Sequence, residues 1–434
     1  METLSDWCAR SPTANPKSNS SFQYCQREAD AAIIAEEGAP SGPLLRAVNQ
    51  IAEAVEHAGF DRVAVSGGYD MPHTDDIAIW VAFFSRCQRY RRRQVETLAY
   101  GYSLQAPKKT KARHNVRVQW RNTDNQAVPI THPGNAEWRA TFEGWANITA
   151  QMTIMQMTAN GGSFVMPTPN WLSLPEDIAW FSRHNVRGFF AWAPAYFPTL
   201  AMSELRAYVM ASMLWDATRN ATQEVDEFIR LFYGEAAAPH VWAHFGAWST
   251  ALSELNMTRG VADCPGAAEA AGQCTMNDLF RYGGFMDCGA ACNNGKLHCT
   301  DSPSCFCVYP GSCYLQPWVT PSAVVPSAIA LRRGLDALPA GSPENRRLEK
   351  VFLGVSYLLL TRWAEMCAHA QQTQQPWPLP ARMSAAVAAW QRSVQAQGIV
   401  TLFPGPSYNA TSIDEFLAKQ LNSTCEASGV RLRT

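Results

Sequence analysis

Five short apolar runs, set among stretches of helical pattern, constrain this chain more than any other feature. Val63-Ala64-Val65-Ser66 ends in Gly67-Gly68, and Val95 to Tyr100, Val116 to Trp120, Met152 to Met157 and Val186 to Trp192 follow. Each run has the length of one strand and is too short for an ordinary helix. Asp30 to His57 precedes them with a helical pattern, and Ala136 to Asn147 and Pro175 to His184 separate later members. Strands that alternate with helices return to the sheet by crossover, so a parallel sheet covered by helices is expected.

The stretch from Glu204 to Gly234 reads as two consecutive amphipathic helices. Leu205, Tyr208, Val209 and Ser212 share one face of the first, and Val225, Phe228, Ile229, Phe232 and Tyr233 share one face of the second. Asn220 or Thr222 can cap the second helix, with Gln223 three residues after Asn220 as in a capping box. Gly234 stands where a left-handed residue would end it. Helical patterns resume over Pro317 to Leu338 and Arg346 to His369, and Pro376 to Pro380 reads as a linker to a last helix pair.

A chain of 434 residues, 47% hydrophobic and 17% charged, can build one large domain or two ordinary ones. Its formal net charge of −1 gives no electrostatic reason to expect nucleic acid as a partner. The longest apolar run, Val351 to Leu360, is too short to span a bilayer, and Pro194, Pro198, Glu204 and Arg206 interrupt a separate apolar-rich stretch from Gly188 to Trp215. No membrane span is therefore expected. Fifteen tryptophans suit both a packed core and the stacking of sugar rings.

Eight of the 13 cysteines, Cys264, Cys274, Cys288, Cys292, Cys299, Cys305, Cys307 and Cys313, crowd a segment poor in aliphatic residues. Such a segment cannot bury a core and needs covalent staples. Zinc is the competing reading, but the spacings fit no standard pattern and only His298 is close, so disulfides are expected and no metal or other cofactor. His114, His132 and His184 form no ligand spacing either. Sequons for N-glycosylation occur at Asn19, Asn147, Asn220, Asn256, Asn409 and Asn422. Together with the cysteine module they point to the eukaryotic secretory pathway or the extracellular space. Met1 to Lys17 has no apolar core and cannot be a signal peptide, so the chain is expected to lack its natural beginning.

Several stretches occur in an order that resembles a family of secreted glycoside-hydrolase-like proteins of formerly unknown function. They are Glu37 to Gly42, Val48 to Ala52, Thr97 to Tyr100, Asn115 to Val118, His132-Pro133 with Asn135, Trp145, Pro167 to Asn170, Val186 to Phe190 and Leu205 to Asp216. That family is allied to the α-glucuronidases and includes endo-β-N-acetylglucosaminidases. The resemblance implies a partial (β/α)8 barrel formed from the later strands, over residues 24–250, with residues of about 60–88 as an insertion. A disordered stretch, 1–23, would precede it. The cysteine-rich module, 260–316, and a helical region, 317–434, would follow.

In such a barrel the C-terminal ends of the strands carry function. Tyr100, Tyr102, His132, Asn160 and Trp192 are the expected glycan-binding residues, since aromatic faces stack on sugars and amides bridge hydroxyls. The resemblance implies hydrolysis of β-linked glycans containing N-acetylglucosamine, yet its usual carboxylate position holds Gln156, which cannot ionise. The catalytic residues are therefore unassigned. A glycan-binding or structural protein with a degenerate site is the first alternative. An α-glucuronidase-like hydrolase is the second, and would use Arg117 and Arg121. Glu37 also matches the family and is expected at the start of a helix, complementing its dipole.

Overall fold

The computed structural model describes residues 28–58, 62–65, 79–80, 94–100, 103–122, 127–158, 167–184, 186–192, 202–254, 305–309, 312–315, 319–399 and 424–425. The chain forms two compact units. One comprises Met1–Asn122, Ala136–Gln156 and Trp180–Ala191; the other comprises Thr123–Asn135, Met157–Ala179 and Trp192–Thr434.

The first unit is built on a sheet with strands β1 (Arg62–Val65), β2 (Ile79–Trp80), β3 (Gln94–Ala99), β4 (Val116–Arg121), β5 (Met152–Met157) and β6 (Val186–Trp192), in the order β2-β1-β3-β4-β5-β6. β1, β3, β4 and β5 are mutually parallel neighbours, and β2 pairs antiparallel with β1 at the edge. The apolar runs thus locate β1, β3, β4, β5 and β6 to within a residue or two, and no run marks β2. The stretch expected as an insertion contributes β1 and β2 to the same sheet.

Alternation along the strands gives the sheet two unlike faces. Val95, Thr97 and Ala99 of β3, Val116, Val118 and Trp120 of β4, and Met152, Ile154 and Gln156 of β5 are all buried. Helix α1 (Glu28–Glu37), α2 (Ser41–Ala58) and α3 (Ala136–Ile148) accompany this sheet, with α2 packed on β3 and β4 and α3 on β4. The Trp120 ring meets Phe142 of α3 at 5.4 Å, Trp138 at 6.3 Å and Phe181 at 6.0 Å. Aromatic edges and faces of this kind bury large area in few residues and lock the helix layer onto the strands. The other face carries Glu96, Tyr100, Arg117 and Gln119, which are only half-buried, with Arg121, Thr153 and Met155 buried among them.

Glu37 does not begin a helix. It is the last residue of α1, wholly buried, and its carboxylate is a latch. It accepts from Arg46 Nε (3.0 Å) and Nη2 (2.6 Å), from the backbone N–H groups of Lys109 and Thr110 (both 2.9 Å), and from Thr110 Oγ1. The motif around it follows from that latch. Gly38 has φ +67°, and a side chain at Gly42 would lie 2.5 Å from Glu37 Cγ, so both positions need glycine. Ser41 Oγ donates to the Gln105 carbonyl from the opening of α2.

The second unit is helical: α5 (Ser203–Trp215), α6 (Ala221–Tyr233), α7 (Ala238–Glu254), α8 (Pro321–Asp336), α9 (Pro343–Thr361), α10 (Trp363–Gln372) and α11 (Met383–Ala396). Helix α4 (Ser173–Arg183) runs from this unit's sequence into the first. The Asn220 cap is present, its side chain accepting from Gln223 N at 3.1 Å. Gly234 has positive φ (89°) but an extended ψ of 151°, so α6 ends without the left-handed turn that its position implied. The second half of α9, Val351 to Thr361, is buried throughout, and no single helix among the described residues is long and apolar enough to cross a membrane.

Within the expected cysteine module the described backbone is a hairpin, β7 (Cys305–Tyr309) and β8 (Ser312–Leu315), whose register sets Cys307 opposite Cys313. The remainder of the module lies outside the described residues, as does 1–23. A disulfide joins Cys367 of α10 to Cys425, two cysteines outside the module. Beside it, Cys425 N donates to the Ala381 carbonyl at 2.8 Å, and Thr424 bridges to Arg382.

Candidate functional site

Because β3, β4 and β5 are parallel and in register, their C-terminal ends lie side by side in the first unit. Two groups of polar residues gather there, and a third lies further back along the strands. Tyr100 follows β3, and the Arg121 guanidinium carbon lies over its ring, 4.5 Å from the centroid. This cation–π contact holds the phenol and the arginine together at one end of the half-covered face. Ser103 completes the turn after β3: its hydroxyl lies 2.9 Å from both the Leu98 and the Tyr100 carbonyl, which share its one proton, and accepts from Tyr100 N (3.1 Å).

Asn122 and Gln156 form the second group. Asn122 N continues the β4–β5 ladder by donating to the Met155 carbonyl at 2.9 Å, and Asn122 Nδ2 donates to Gln156 Oε1. Both side chains are buried, at 1% and 0% exposure, and among the described residues Gln156 Nε2 has no hydrogen-bond partner. By alternation Gln156 shares the helix-covered face with Ile154, whereas Tyr100 shares the other face with Leu98 and Glu96. The amide at the expected carboxylate position therefore works inside the fold, away from the Tyr100–Arg121 pair.

The third group lies deeper on the half-covered face. Glu96 stands directly across from Arg117 in the β3–β4 register, and Thr153 Oγ1 approaches its carboxylate at 3.4 Å. Glu96 is four residues before Tyr100, about 13 Å along the strand. Arg117 and Arg121 are spaced likewise, and Arg121 is engaged by the Tyr100 ring, so the two do not form a fork around one carboxylate. Glu96 and Asn122 were missed by sequence reasoning. Glu96 looks like an ordinary mid-strand residue, and Asn122 is one residue beyond the apolar run that marks β4.

His132 belongs to the second unit. Its Nδ1 accepts from Gly134 N at 3.0 Å, and its carbonyl accepts from Asn135 N at 2.9 Å. Burial lowers the imidazole pKa, which favours the neutral ring that this accepted hydrogen bond requires. The buried Asn135 donates in turn to the Val128 and Pro129 carbonyls (3.2 and 2.9 Å), so His132-Pro133 and Asn135 build a turn. Tyr102 and Asn160 lie outside the described residues. Trp192 ends β6, and its side chain is likewise outside the described set. Asn147 and Asn220 are both exposed, whereas the sequons at Asn19, Asn256, Asn409 and Asn422 lie outside the described residues.

Much of the resemblance rests on residues that hold the fold. Asn49 donates to the Lys111 carbonyl and accepts from Arg113 N, and Asn115 donates to the Ala52 carbonyl. Trp145 Nε1 donates to the Leu104 carbonyl from a buried ring. Asn170 accepts from the Arg206 guanidinium. Tyr100 differs from these, since its half-buried ring lies at a strand end on the half-covered face.

Residues 87–245 match the model of a domain of unknown function (DUF4838), a region that takes in β3 to β6 and the helices into the first half of α7. No curated protein and no solved structure shows a significant match to the chain.

Proposed function

We propose that this chain is a carbohydrate-active protein of the secretory pathway, built on a partial (β/α)8 barrel, that takes β-linked glycans containing N-acetylglucosamine at the C-terminal ends of β3 and β4. The observation that carries the reading is the Tyr100–Arg121 pair. An aromatic face offers the C–H-rich side of a pyranose a stacking surface, and a guanidinium beside it supplies donors to ring substituents. The sheet supports the barrel: the parallel strands β1, β3, β4 and β5 neighbour one another in chain order, and β2 beyond β1 is antiparallel, unlike the parallel strand that a doubly wound sheet carries there. The position at which the resemblance expects a carboxylate holds Gln156, enclosed against Asn122 and turned away from the Tyr100–Arg121 pair, so it lends hydrolysis no support.

Titration calorimetry of the chain with β-1,4-linked N-acetylglucosamine oligomers tests the reading. Tyr100→Ala should weaken binding about tenfold, the loss of one stacking surface, with an unchanged melting temperature. Absence of binding by the parent chain, or equal binding by the variant, would overturn it.

Hydrolysis is the second reading, and Glu96 favours it as the carboxylate on the same face as Tyr100. Release of new reducing ends by the parent chain, lost in Glu96→Gln while binding persists, would establish hydrolysis in place of simple recognition.

A further inference from the structure

The turn that joins α5 to α6 presents an exposed tryptophan and an exposed glycosylation sequon together. Trp215, the last residue of α5, is 89% exposed, and Leu214 beside it is 50% exposed. The buried stripe of this helix runs through Leu205, Val209 and Met213, which turns its final two residues away from the core. Leu214 and Trp215 thus set a small apolar surface in water at the end of the helix.

Five residues on, Asn220 begins the sequon Asn220-Ala221-Thr222. Its Oδ1 caps α6 by accepting from Gln223 N at 3.1 Å, and the amide nitrogen is on the other arm of an exposed side chain. The intervening turn is pinned. Arg219 N donates to the Asp216 carbonyl at 3.2 Å, and Thr218 N and Oγ1 donate to Asp216 Oδ1 at 3.0 and 2.6 Å. Arg219 Nη1 donates to Ser212 Oγ (3.1 Å) and to Glu224 (3.0 Å), while Ser212 Oγ donates to Glu224 Oε2 (2.5 Å), which cross-links the two helix ends. Trp215 and Asn220 therefore flank one turn that these hydrogen bonds hold.

We propose that an N-linked glycan on Asn220 lays the apolar face of its first N-acetylglucosamine over the Trp215 indole. The proposal rests on the export reading above. The donor is a polyprenyl-diphosphate-linked oligosaccharide. The Asn220 amide nitrogen forms a bond to the anomeric carbon, the bond from that carbon to the diphosphate oxygen breaks, the lipid diphosphate leaves, and the nitrogen gives up one proton. The capping oxygen takes no part, so α6 keeps its N-cap after modification. Stacking covers an indole that is otherwise in water, and the pinned turn lowers the entropy cost of holding the first sugar.

The test is hydroxyl-radical footprinting of the full chain secreted from a glycosylating eukaryotic host, read by peptide mass spectrometry. Glycan should be found on Asn220, and enzymatic removal of it should raise oxidation of Trp215 severalfold. In a second arm, Trp215→Ala should speed endoglycosidase trimming at Asn220 and leave trimming at Asn147 unchanged. Glycan on Asn147 alone, or equal oxidation of Trp215 with and without the Asn220 glycan, would overturn the proposal and leave the export reading standing. Glycan on none of the six sequons would sink both.

Discussion

Arg206 Nε donates to Asn170 Oδ1 at 2.6 Å, and the same guanidinium reaches the Thr168 carbonyl at 2.7 Å. This joins the Pro167 to Asn170 segment to α5, two stretches that are far apart in sequence and both prominent in the resemblance. Burial pulls the arginine pKa down, while Tyr233 and Glu204 pull it up, so the neighbours make up part of the lost hydration. Glu204 in turn is paired with Lys350 of α9 at 2.6 Å.

Removing the acceptor should expose the cost of that burial. Asn170→Ala leaves an enclosed guanidinium short of one charge-assisted hydrogen bond, worth about 2 kcal/mol of stability. Urea unfolding of the variant checks this, and a loss below experimental error would show that Thr168 and the other neighbours suffice.

The Glu37 latch predicts an acid transition. Burial raises this carboxyl, but the hydrogen bonds from Thr110, Arg46 and Lys109 outweigh it and lower the pKa from 4.5 to about 2. The folded value lies below the unfolded one, so the contribution is complete above pH 4.5 and is lost as pH falls towards 2. Arg46 is one-third exposed, and with that screening the contribution is about 1–2 kcal/mol. Glu37→Gln should flatten the stability profile across that window. A parallel profile in parent and variant would remove Glu37 as the cause.

The disulfide between Cys367 and Cys425 closes a separation of 58 residues. Reduction, or Cys367→Ser, should cost about 2–4 kcal/mol through the freed unfolded chain. The expected readout is a lower melting temperature for the variant, and for the parent a fall on reduction that the variant does not repeat. Identical melting of oxidised and reduced parent chain would refute a structural role.

Trp120 and Tyr100 separate packing from recognition on neighbouring strands. Trp120 is fully enclosed by Trp138, Phe142 and Phe181, and Trp120→Ala should cost about 3–5 kcal/mol of stability. Tyr100→Ala should leave the thermal midpoint nearly unchanged and act on glycan affinity. A large stability loss in Tyr100→Ala would return that ring to the core.

The sequence by itself determined the elements, because their signals are local. The run Met152 to Met157 became β5 at those same bounds, and the pattern around Glu204 to Gly234 became α5 and α6 with Asn220 as the cap. Period and capping depend on residues a few positions apart, so they can be read along the chain. What faces what could not be read. Gln156 sits at a strand end and reads as a site residue, but sheet register and helix cover turn its amide into the interior beside Asn122. Glu37 carries no sign of the partners 72 and 73 residues away that make it a latch. The Cys367–Cys425 link was likewise hidden behind the denser cysteine cluster, and Arg121 became a partner for Tyr100 only when β3 and β4 were set side by side. Burial, long-range pairing and the choice of sheet face are properties of the packed chain, since each depends on residues that only folding brings together.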